Sequence, residues 1–188
     1  MNKGKDKTCS LNISINEDLK LELIKDSHAQ EIFNLTEANR DYLREWLPWV
    51  DATKSVNDTS EFIKISKGQF KKNNGFQLVI KYQDELAGLI GLHYLNNLHK
   101  HTEIGYWLAE NFTGKGIMTM ACRRLTDHCF EDLNLNRVVI KCAEENHRSW
   151  AIPERLGFKK EGILRQEIYM NKKFVDHILY AMLREEWI

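Results

Sequence analysis

Apolar residues recur along the chain in two patterns, one typical of strands and the other of amphipathic helices. Strand-like stretches lie at 11–15, 18–24, 76–82, 86–95, 101–109, 136–143, 160–170 and 173–184. Helix-like stretches lie at 26–47, 57–73, 117–133 and 147–158. Asp26 or Ser27 is expected to cap the first helix, and Asp58 or Thr59 is expected to lie near the cap of the second. With the first two strand stretches taken as one element, this order predicts an α/β sheet with helices on both faces.

Length and charge limit the kinds of partner that the chain suits. Its 188 residues fit one domain, and 27 basic side chains balance 27 acidic ones, so no overall field attracts nucleic acid or a membrane surface. The longest apolar run, 86–92, is too short to cross a bilayer, and the first residues lack the apolar segment of a signal peptide. We therefore expect a flexible N-terminal arm at 1–10, a single domain at 11–188 and a cytoplasmic location.

The cysteines and histidines lack the spacing of a metal site. None of Cys9, Cys122, Cys129 and Cys142 forms a C-x-x-C pair, which favours buried, reduced thiols over a disulfide framework or a metal centre. His101 follows another histidine two residues earlier, but no third ligand lies at a metal-binding spacing. The sequence therefore predicts no metal.

A loop with two glycines separates the strand at 101–109 from the helix at 117–133. Gly114 and Gly116 let the backbone approach an anion, Lys115 adds positive charge, and the first N–H groups of the helix point to the same place. The spacing matches neither the nucleotide P-loop nor the dinucleotide fingerprint. By itself the loop is either a simple turn or a compact cradle for a pyrophosphate.

The residues downstream favour the cradle. TGKGIM at 113–118 and ENHRSWAIPERLGF at 145–158 resemble the GCN5-related N-acetyltransferase (GNAT) family. REWLPWVD at 44–51 and FVDHILYAMLREEW at 174–187 extend the resemblance, over nearly the whole chain, to bacterial ribosomal-protein-serine N-acetyltransferases. The resemblance implies a mixed, mostly antiparallel sheet of about seven strands. It also implies acetyl-coenzyme A as co-substrate, direct transfer of acetyl to a primary amine and, as in relatives, a homodimer.

Carried over residue by residue, the resemblance implies cofactor contacts in three places. The loop amides bind the pyrophosphate, the end of the preceding strand seats the thioester, and the residues after the next strand flank the pantetheine and thiol. These positions are Trp107, Leu108, Ala109, Thr113, Gly114, Lys115, Gly116, Ile117, Met118, Asn146 and Ser149. Thr113 and Met118 depart from the family pattern, in which Gln or Arg and Gly or Ala are usual, but backbone amides supply most of the cradle.

Two residues are candidates for proton transfer. Many relatives use a tyrosine as acid toward the departing thiolate, but Pro153 stands at that position, and the resemblance implies Ser149 instead. Ser149 is alternatively only an N-cap, because a proline is tolerated in a first helical turn, which predicts a helix start near Ser149 or Trp150. Glu103 lies where many relatives keep a general base, and it is alternatively a solvated strand glutamate or an ion-pair partner. It lies roughly 13 Å from Trp107 at ~3.3 Å per residue, so a base there needs a water relay.

The acceptor is the part that the sequence determines least. Trp46, Trp49 and Asp51 lie where relatives wall the acceptor cleft, although tryptophans there are also ordinary core residues. A peptide α-amine, with a pKa near ~7.7–8.0, is partly neutral at pH 7, whereas a lysine amine near ~10.4 is neutral in about one molecule in a thousand. A distant Glu103 therefore favours an N-terminal α-amine, such as that of a ribosomal protein. The alternatives are a small amine (an antibiotic or a polyamine) and a coenzyme A-binding regulatory role without turnover.

Overall fold

The computed structural model describes residues 11–188, so the predicted arm at 1–10 and Cys9 lie outside the described residues. The strands are β1 (Asn12–Ser14), β2 (Leu19–Leu23), β3 (Phe76–Tyr82), β4 (Glu85–Asn96), β5 (His101–Leu108), β6 (Arg137–Ala143), β7 (Lys159–Met170) and β8 (Lys173–Leu183). The helices are α1 (Ala29–Ala38), α2 (Arg40–Arg44), α3 (Val56–Lys71), α4 (Ile117–Glu131) and α5 (His147–Arg155). None of the helices within 11–188 has the length and apolar character needed to span a membrane.

All eight strands join one sheet in the order β1-β2-β3-β4-β5-β6-β8-β7. Among these described strands, β5 and β6 are parallel and every other neighbouring pair is antiparallel. The predicted mixed, mostly antiparallel sheet is therefore confirmed. The count of about seven strands is one too low, because β1 and β2 are separate strands that pair as a hairpin.

Alternate side chains of the central strands pack against helices on opposite faces of the sheet. Leu78 and Ile80 of β3 lie in one apolar cluster with Leu125 of α4, whereas Val79 between them lies in a second cluster with Ile32 of α1 and Ile63 of α3. The period-2 alternation of a strand places neighbouring residues on opposite faces in this way. The prediction of helices on both faces is confirmed.

The start of the first helix differs from the prediction, and the start of the second agrees with it. Residues Asp26–His28 form a 3-10 turn and the α-helix begins only at Ala29, so neither Asp26 nor Ser27 is its N-cap. Ser55 caps α3, and its backbone N–H donates to Asp58 Oδ2 at 2.8 Å. Asp58 therefore lies near the cap as predicted, at the third helical position, and is the reciprocal partner of the cap in a capping-box arrangement.

The cysteines inside the described residues are buried and free. They are Cys122, Cys129 and Cys142. Burial raises the pKa of each of these thiols, which keeps them protonated at neutral pH. The prediction of buried, reduced thiols is confirmed for these three cysteines.

Candidate functional site

The parallel strands β5 and β6 separate along their length. They pair only from His101 to Glu103 on β5 and from Arg137 to Val139 on β6, although β5 runs on to Leu108. At the end of β5, the Ala109 N–H donates to the Ala87 oxygen on the β4 side, at 2.9 Å. Because backbone groups alternate between the two edges of a strand, the N–H of Leu108 is directed toward the gap beside β6. The gap thus exposes backbone donors that no neighbouring strand uses.

The glycine loop lies at the open end of this gap. Gly114 and Gly116 have φ angles of 76° and 74°, in the left-handed region that favours glycine, and Gly116 is the N-cap of α4. A Cβ atom at either glycine would meet nothing within 4 Å, so the backbone borders open space. The first turn of α4 has no acidic residue and no capping side chain, which leaves its positive end free for an anion.

The two departures from the family pattern in this loop have structural roles. The Thr113 hydroxyl donates to the Glu110 oxygen at 2.7 Å and closes the short 3-10 turn that precedes the glycines. Met118 is 6% exposed and belongs to the main apolar cluster beneath α4, while part of its surface lines the cleft. Neither side chain removes a backbone donor from the loop.

On the other side of the gap, α5 presents Ser149. The Asn146 side chain caps the helix by accepting the Ser149 N–H at 3.1 Å, so the alternative of Ser149 as the N-cap is wrong. The Ser149 hydroxyl instead donates to the sulfur of Cys142, at 3.2 Å. A thiol sulfur is a weak acceptor, so this hydroxyl proton is available to a stronger one.

Tyr106 of β5 connects the two sides of the gap. Helix α5 begins at His147, two or three residues before the predicted start near Ser149 or Trp150, so Pro153 lies inside the helix and not in its first turn. A proline has no N–H to donate to the carbonyl four residues earlier, which here is that of Ser149. The Tyr106 hydroxyl donates to this carbonyl at 3.0 Å and replaces the missing bond. Burial raises the pKa of Tyr106 well above its ordinary value, so the donor stays protonated.

These elements enclose a cleft of about 520 Å³. Of the predicted site residues, it is lined by Trp46, Trp107, Leu108, Thr113, Gly114, Gly116, Ile117, Met118, Asn146 and Ser149. The prediction omitted further lining residues, namely Tyr42, Leu43, Leu47, Tyr106, Phe112, Thr119, Arg148, Ile152 and Arg155. Tyr106 could have been found from strand alternation, which places it on the same face as Leu108. Arg148 and Arg155 lie seven residues apart in 145–158, a segment that already carried the resemblance to the GNAT family in the sequence.

Five predicted site residues are not among those that line the cleft. The Lys115 ammonium lies over the rings of Tyr82 and Phe112, at 5.8 and 5.4 Å from their centroids, so its side chain does not add charge to the cradle as predicted. Ala109 is fully buried. Trp49 packs against Trp107, with 6.0 Å between ring centroids.

The other two, Asp51 and Glu103, are engaged in ion pairs. Asp51 accepts from Arg44 at 2.6 Å. The Glu103 carboxylate, 15% exposed, lies 3.2 Å from His93 Nδ1 and 3.5 Å from Lys141 Nζ. Burial acts to raise the pKa of Glu103, but the hydrogen bond from His93 and the charge of Lys141 outweigh it, and the net pKa is lowered. Glu103 is therefore ionised at neutral pH and is held by its neighbours.

The cleft fits an elongated cofactor with an anionic end and a thioester end. Open backbone and a free helix N-terminus at the glycine loop suit phosphate groups, and Arg148 and Arg155 add positive charge to the lining. The unpaired strand edge of β5 and the Ser149 hydroxyl suit the amide chain and sulfur of a pantetheine group. Within 11–188, no group of three or more His, Cys, Asp and Glu side chains is arranged to hold a metal ion.

Comparison with known proteins agrees with this geometry. The acetyltransferase (GNAT) domain profile matches residues 18–159. The putative ribosomal N-acetyltransferase YdaF of Bacillus subtilis is 37% identical over 174 residues, 92% of this chain and 95% of that protein. The ribosomal-protein-serine acetyltransferase of Escherichia coli is 32% identical over 171 residues, 91% of this chain and 96% of that protein.

A solved structure extends the comparison to the cofactor. The ribosomal alpha-N-protein acetyltransferase RimL, in complex with coenzyme A, has a TM-score of 0.89 and 28% sequence identity, covering 92% of this chain and 98% of that one. The profile match and the two relatives cover most of the chain, and the cleft is suited to the same cofactor. The chain belongs to the GNAT family of acetyltransferases and is an N-acetyltransferase that uses acetyl-coenzyme A.

Proposed function

We propose that this enzyme acetylates the N-terminal α-amine of a protein, and specifically of a ribosomal protein. One observation carries the choice of amine: Glu103, the predicted base, is not among the cleft-lining residues and is held between His93 and Lys141. An acceptor that is already partly neutral at pH 7 suits such a site, and a peptide α-amine has this property. The names of the two bacterial relatives, both ribosomal-protein acetyltransferases, support the same acceptor.

In this proposal the phosphate end of the cofactor lies at the start of α4. Backbone N–H groups from Gly114 to Met118 hold it, because Thr113 donates its own N–H to the Glu110 oxygen at 3.0 Å. Lys115 contributes its N–H and not its side chain. The pantetheine runs along the free edge of β5 past Trp107, Leu108 and Ala109. Asn146 supports this path indirectly, because it caps α5 and so positions Ser149.

Two groups of the chain act on the reacting atoms. Acetyl-coenzyme A supplies the acetyl group as a thioester. The Leu108 N–H donates to the carbonyl oxygen as negative charge develops there. Ser149 turns its O–H from the Cys142 sulfur to the departing sulfur, a stronger acceptor once it carries negative charge. Because a thiol has a pKa near ~8.5, one hydroxyl is sufficient help for the leaving group.

The acceptor enters past the segment between α2 and α3. Trp46 lines the cleft directly and also packs against Met170 and Val175 near the β7–β8 turn. Trp49 and Asp51 act through their neighbours, Trp49 by supporting Trp107 and Asp51 by holding Arg44. We also propose that the enzyme works as a homodimer in the cytoplasm. The dimer rests on the family resemblance. Light scattering checks the dimer, and cell fractionation checks the location.

A panel of acceptors tests the proposed function. At pH 7.5, peptides with a free N-terminal serine or alanine are expected to release coenzyme A thiol at least about a hundredfold faster, in kcat/KM, than the same peptides with a blocked N-terminus and a free lysine. The reason is the difference in neutral amine, about one part in three against one in a thousand. A preference for spermidine or an aminoglycoside would contradict the proposal, and so would tight coenzyme A binding without turnover on any acceptor.

Glu103→Gln is expected to lower kcat/KM for the peptide about tenfold, less than the hundredfold or more of a general base in direct contact, because a water molecule relays the proton. Since the pKa of Glu103 is lowered, its ionisation lies below the range of the assay, and the rise in rate between pH 6 and 8 belongs to the acceptor amine and persists in the variant. Glu167→Gln is the matched control, because Glu167 also pairs with Lys141, at 3.0 Å. An unchanged rate in Glu103→Gln would remove Glu103 as the base.

A further inference from the structure

Two arginines on α5, Arg148 and Arg155, line the cleft without a carboxylate partner. Neither has an Asp or Glu oxygen within 4 Å in the part of the chain that the structure describes, whereas Arg40, Arg44 and Arg137 each form ion pairs there. An arginine that borders a cleft with no anion beside it retains most of its hydrogen-bond donors. These two side chains therefore offer positive charge that the folded chain itself does not neutralise.

Arg155 is held at the end of the cleft where α4 begins. Its Nη1 donates to Thr119 Oγ1 at 2.6 Å. Thr119 is the third residue of α4 and lies in the first helical turn after the glycine loop. A guanidinium carries five N–H groups, so one bond to Thr119 fixes its orientation and leaves the others free. Arg148 lies two helical turns earlier, roughly 10 Å away at ~1.5 Å per residue, and belongs to the end of the cleft near Ser149.

The negative charge of a diphosphate bound at the start of α4 requires a cationic side chain in addition to the helix N-terminus. A diphosphate carries about two negative charges, whereas a helix N-terminus supplies roughly half a positive charge. Lys115, the basic residue inside the loop, directs its ammonium over Tyr82 and Phe112 and does not line the cleft. Arg155 has both the position and the fork geometry for a second, bidentate contact with phosphate oxygens.

We propose that Arg155, oriented by Thr119, binds the diphosphate of acetyl-coenzyme A across the start of α4 and supplies the cationic contact that the glycine loop lacks. This assignment rests on the proposed position of the cofactor. It makes Arg155 a cofactor-binding residue contributed by α5, so that two helices, α4 and α5, hold the same diphosphate from opposite sides.

Calorimetry with three ligands tests the proposal without any turnover. Arg155→Gln is expected to weaken coenzyme A and dephospho-coenzyme A equally, by about tenfold to a hundredfold, the value of a charge-assisted hydrogen bond. Pantetheine, which has no phosphate, is expected to bind both proteins alike in a competition format. Arg155→Lys keeps the charge but loses the forked guanidinium, so its affinity for coenzyme A is expected to lie between those of the parent protein and Arg155→Gln. Arg165→Gln, an exposed arginine of β7 outside the cleft lining, is the matched control and keeps full affinity.

Each other result overturns the assignment. Equal coenzyme A affinity in Arg155→Gln and the parent protein removes the contact. A loss for coenzyme A but not for dephospho-coenzyme A moves the contact to the 3′-phosphate, and a parallel loss for pantetheine indicates damage to α5. The outcome is separate from that of the proposed function, because an enzyme that binds coenzyme A through Arg155 but acetylates no peptide would refute the acceptor and leave this contact in place.

Discussion

Gly116→Val is expected to weaken coenzyme A binding by at least about a hundredfold while the protein stays folded. Gly116 holds a φ of 74°, and a β-branched residue there costs about 1–2 kcal/mol in backbone strain. The added side chain also projects into the open space beside the N-terminus of α4, where we place the diphosphate. In the unliganded variant the loop relieves this strain by leaving the left-handed region, so binding must restore it. Strain and bulk together then exceed about 3 kcal/mol, which corresponds to a factor of at least about a hundred in Kd. Calorimetry measures the affinity, and thermal unfolding measures the stability.

Graded variants separate the strain from the bulk. Gly116→Ala adds only a Cβ, which meets nothing within 4 Å, so it is expected to lose about tenfold from strain alone. Gly68→Ala is the control: Gly68 lies inside α3, has no close neighbour for a Cβ and is expected to gain about 0.5–1 kcal/mol of stability with unchanged affinity. Tight binding by Gly116→Val would mean that the anion does not lie at this loop.

Ser149→Ala is expected to lower kcat about a hundredfold, with little change in the affinity for coenzyme A. The hydroxyl would act only once negative charge has formed on the sulfur, so its removal affects the transition state and not the ground state. A factor of a hundred is the lower end for a proton donor, as suits a thiol that leaves readily. Single-turnover kinetics gives the rate of transfer, and calorimetry gives the affinity.

The fold offers a clear control for this variant. Asn146 caps α5 and accepts the backbone N–H of Ser149, which alanine retains, so the helix is expected to keep its start. Ser66→Ala removes a comparable hydroxyl bond, to the Phe62 oxygen at 2.9 Å, on α3 away from the cleft lining and is expected to leave kcat unchanged. An unaltered kcat in Ser149→Ala would exclude this serine as the proton donor.

Backbone features of the site were predictable from the sequence, and side-chain directions were less so. Glycines before a helix specify an exposed loop and a free N-terminus whatever surrounds them, and Gly114 and Gly116 meet that expectation. Lys115 lies between them, but its long side chain has several rotamers, and contact with two aromatic rings selected one that leaves the cleft. Spacing along the chain carries no information about that choice.

Helix starts show the same limit. Pro153 alone favours a helix that begins near Ser149, because a proline inside a helix breaks a hydrogen bond. The actual start at His147 is tolerated because Tyr106, 43 residues distant from Ser149 in sequence, supplies a donor to the carbonyl that Pro153 leaves free. A contact between distant segments thus overrides a local rule. The order of elements and the alternation of apolar residues survive such contacts, which is why the sheet and its two faces were predicted more reliably than the helix ends.

The hydrogen bond from Tyr106 to the Ser149 carbonyl links β5 to α5 across the gap between β5 and β6. β5 carries the Leu108 N–H and α5 carries Ser149, and the paired registers of β5 and β6 end before this level. The two groups that would act on opposite ends of the scissile bond therefore lie on elements that the sheet does not pair at this level, and the Tyr106 phenol joins these elements by a hydrogen bond. Pro153 leaves the Ser149 carbonyl without its helical donor, and this carbonyl therefore accepts the bond from Tyr106. The proline thus contributes to holding the two reacting groups at a defined separation.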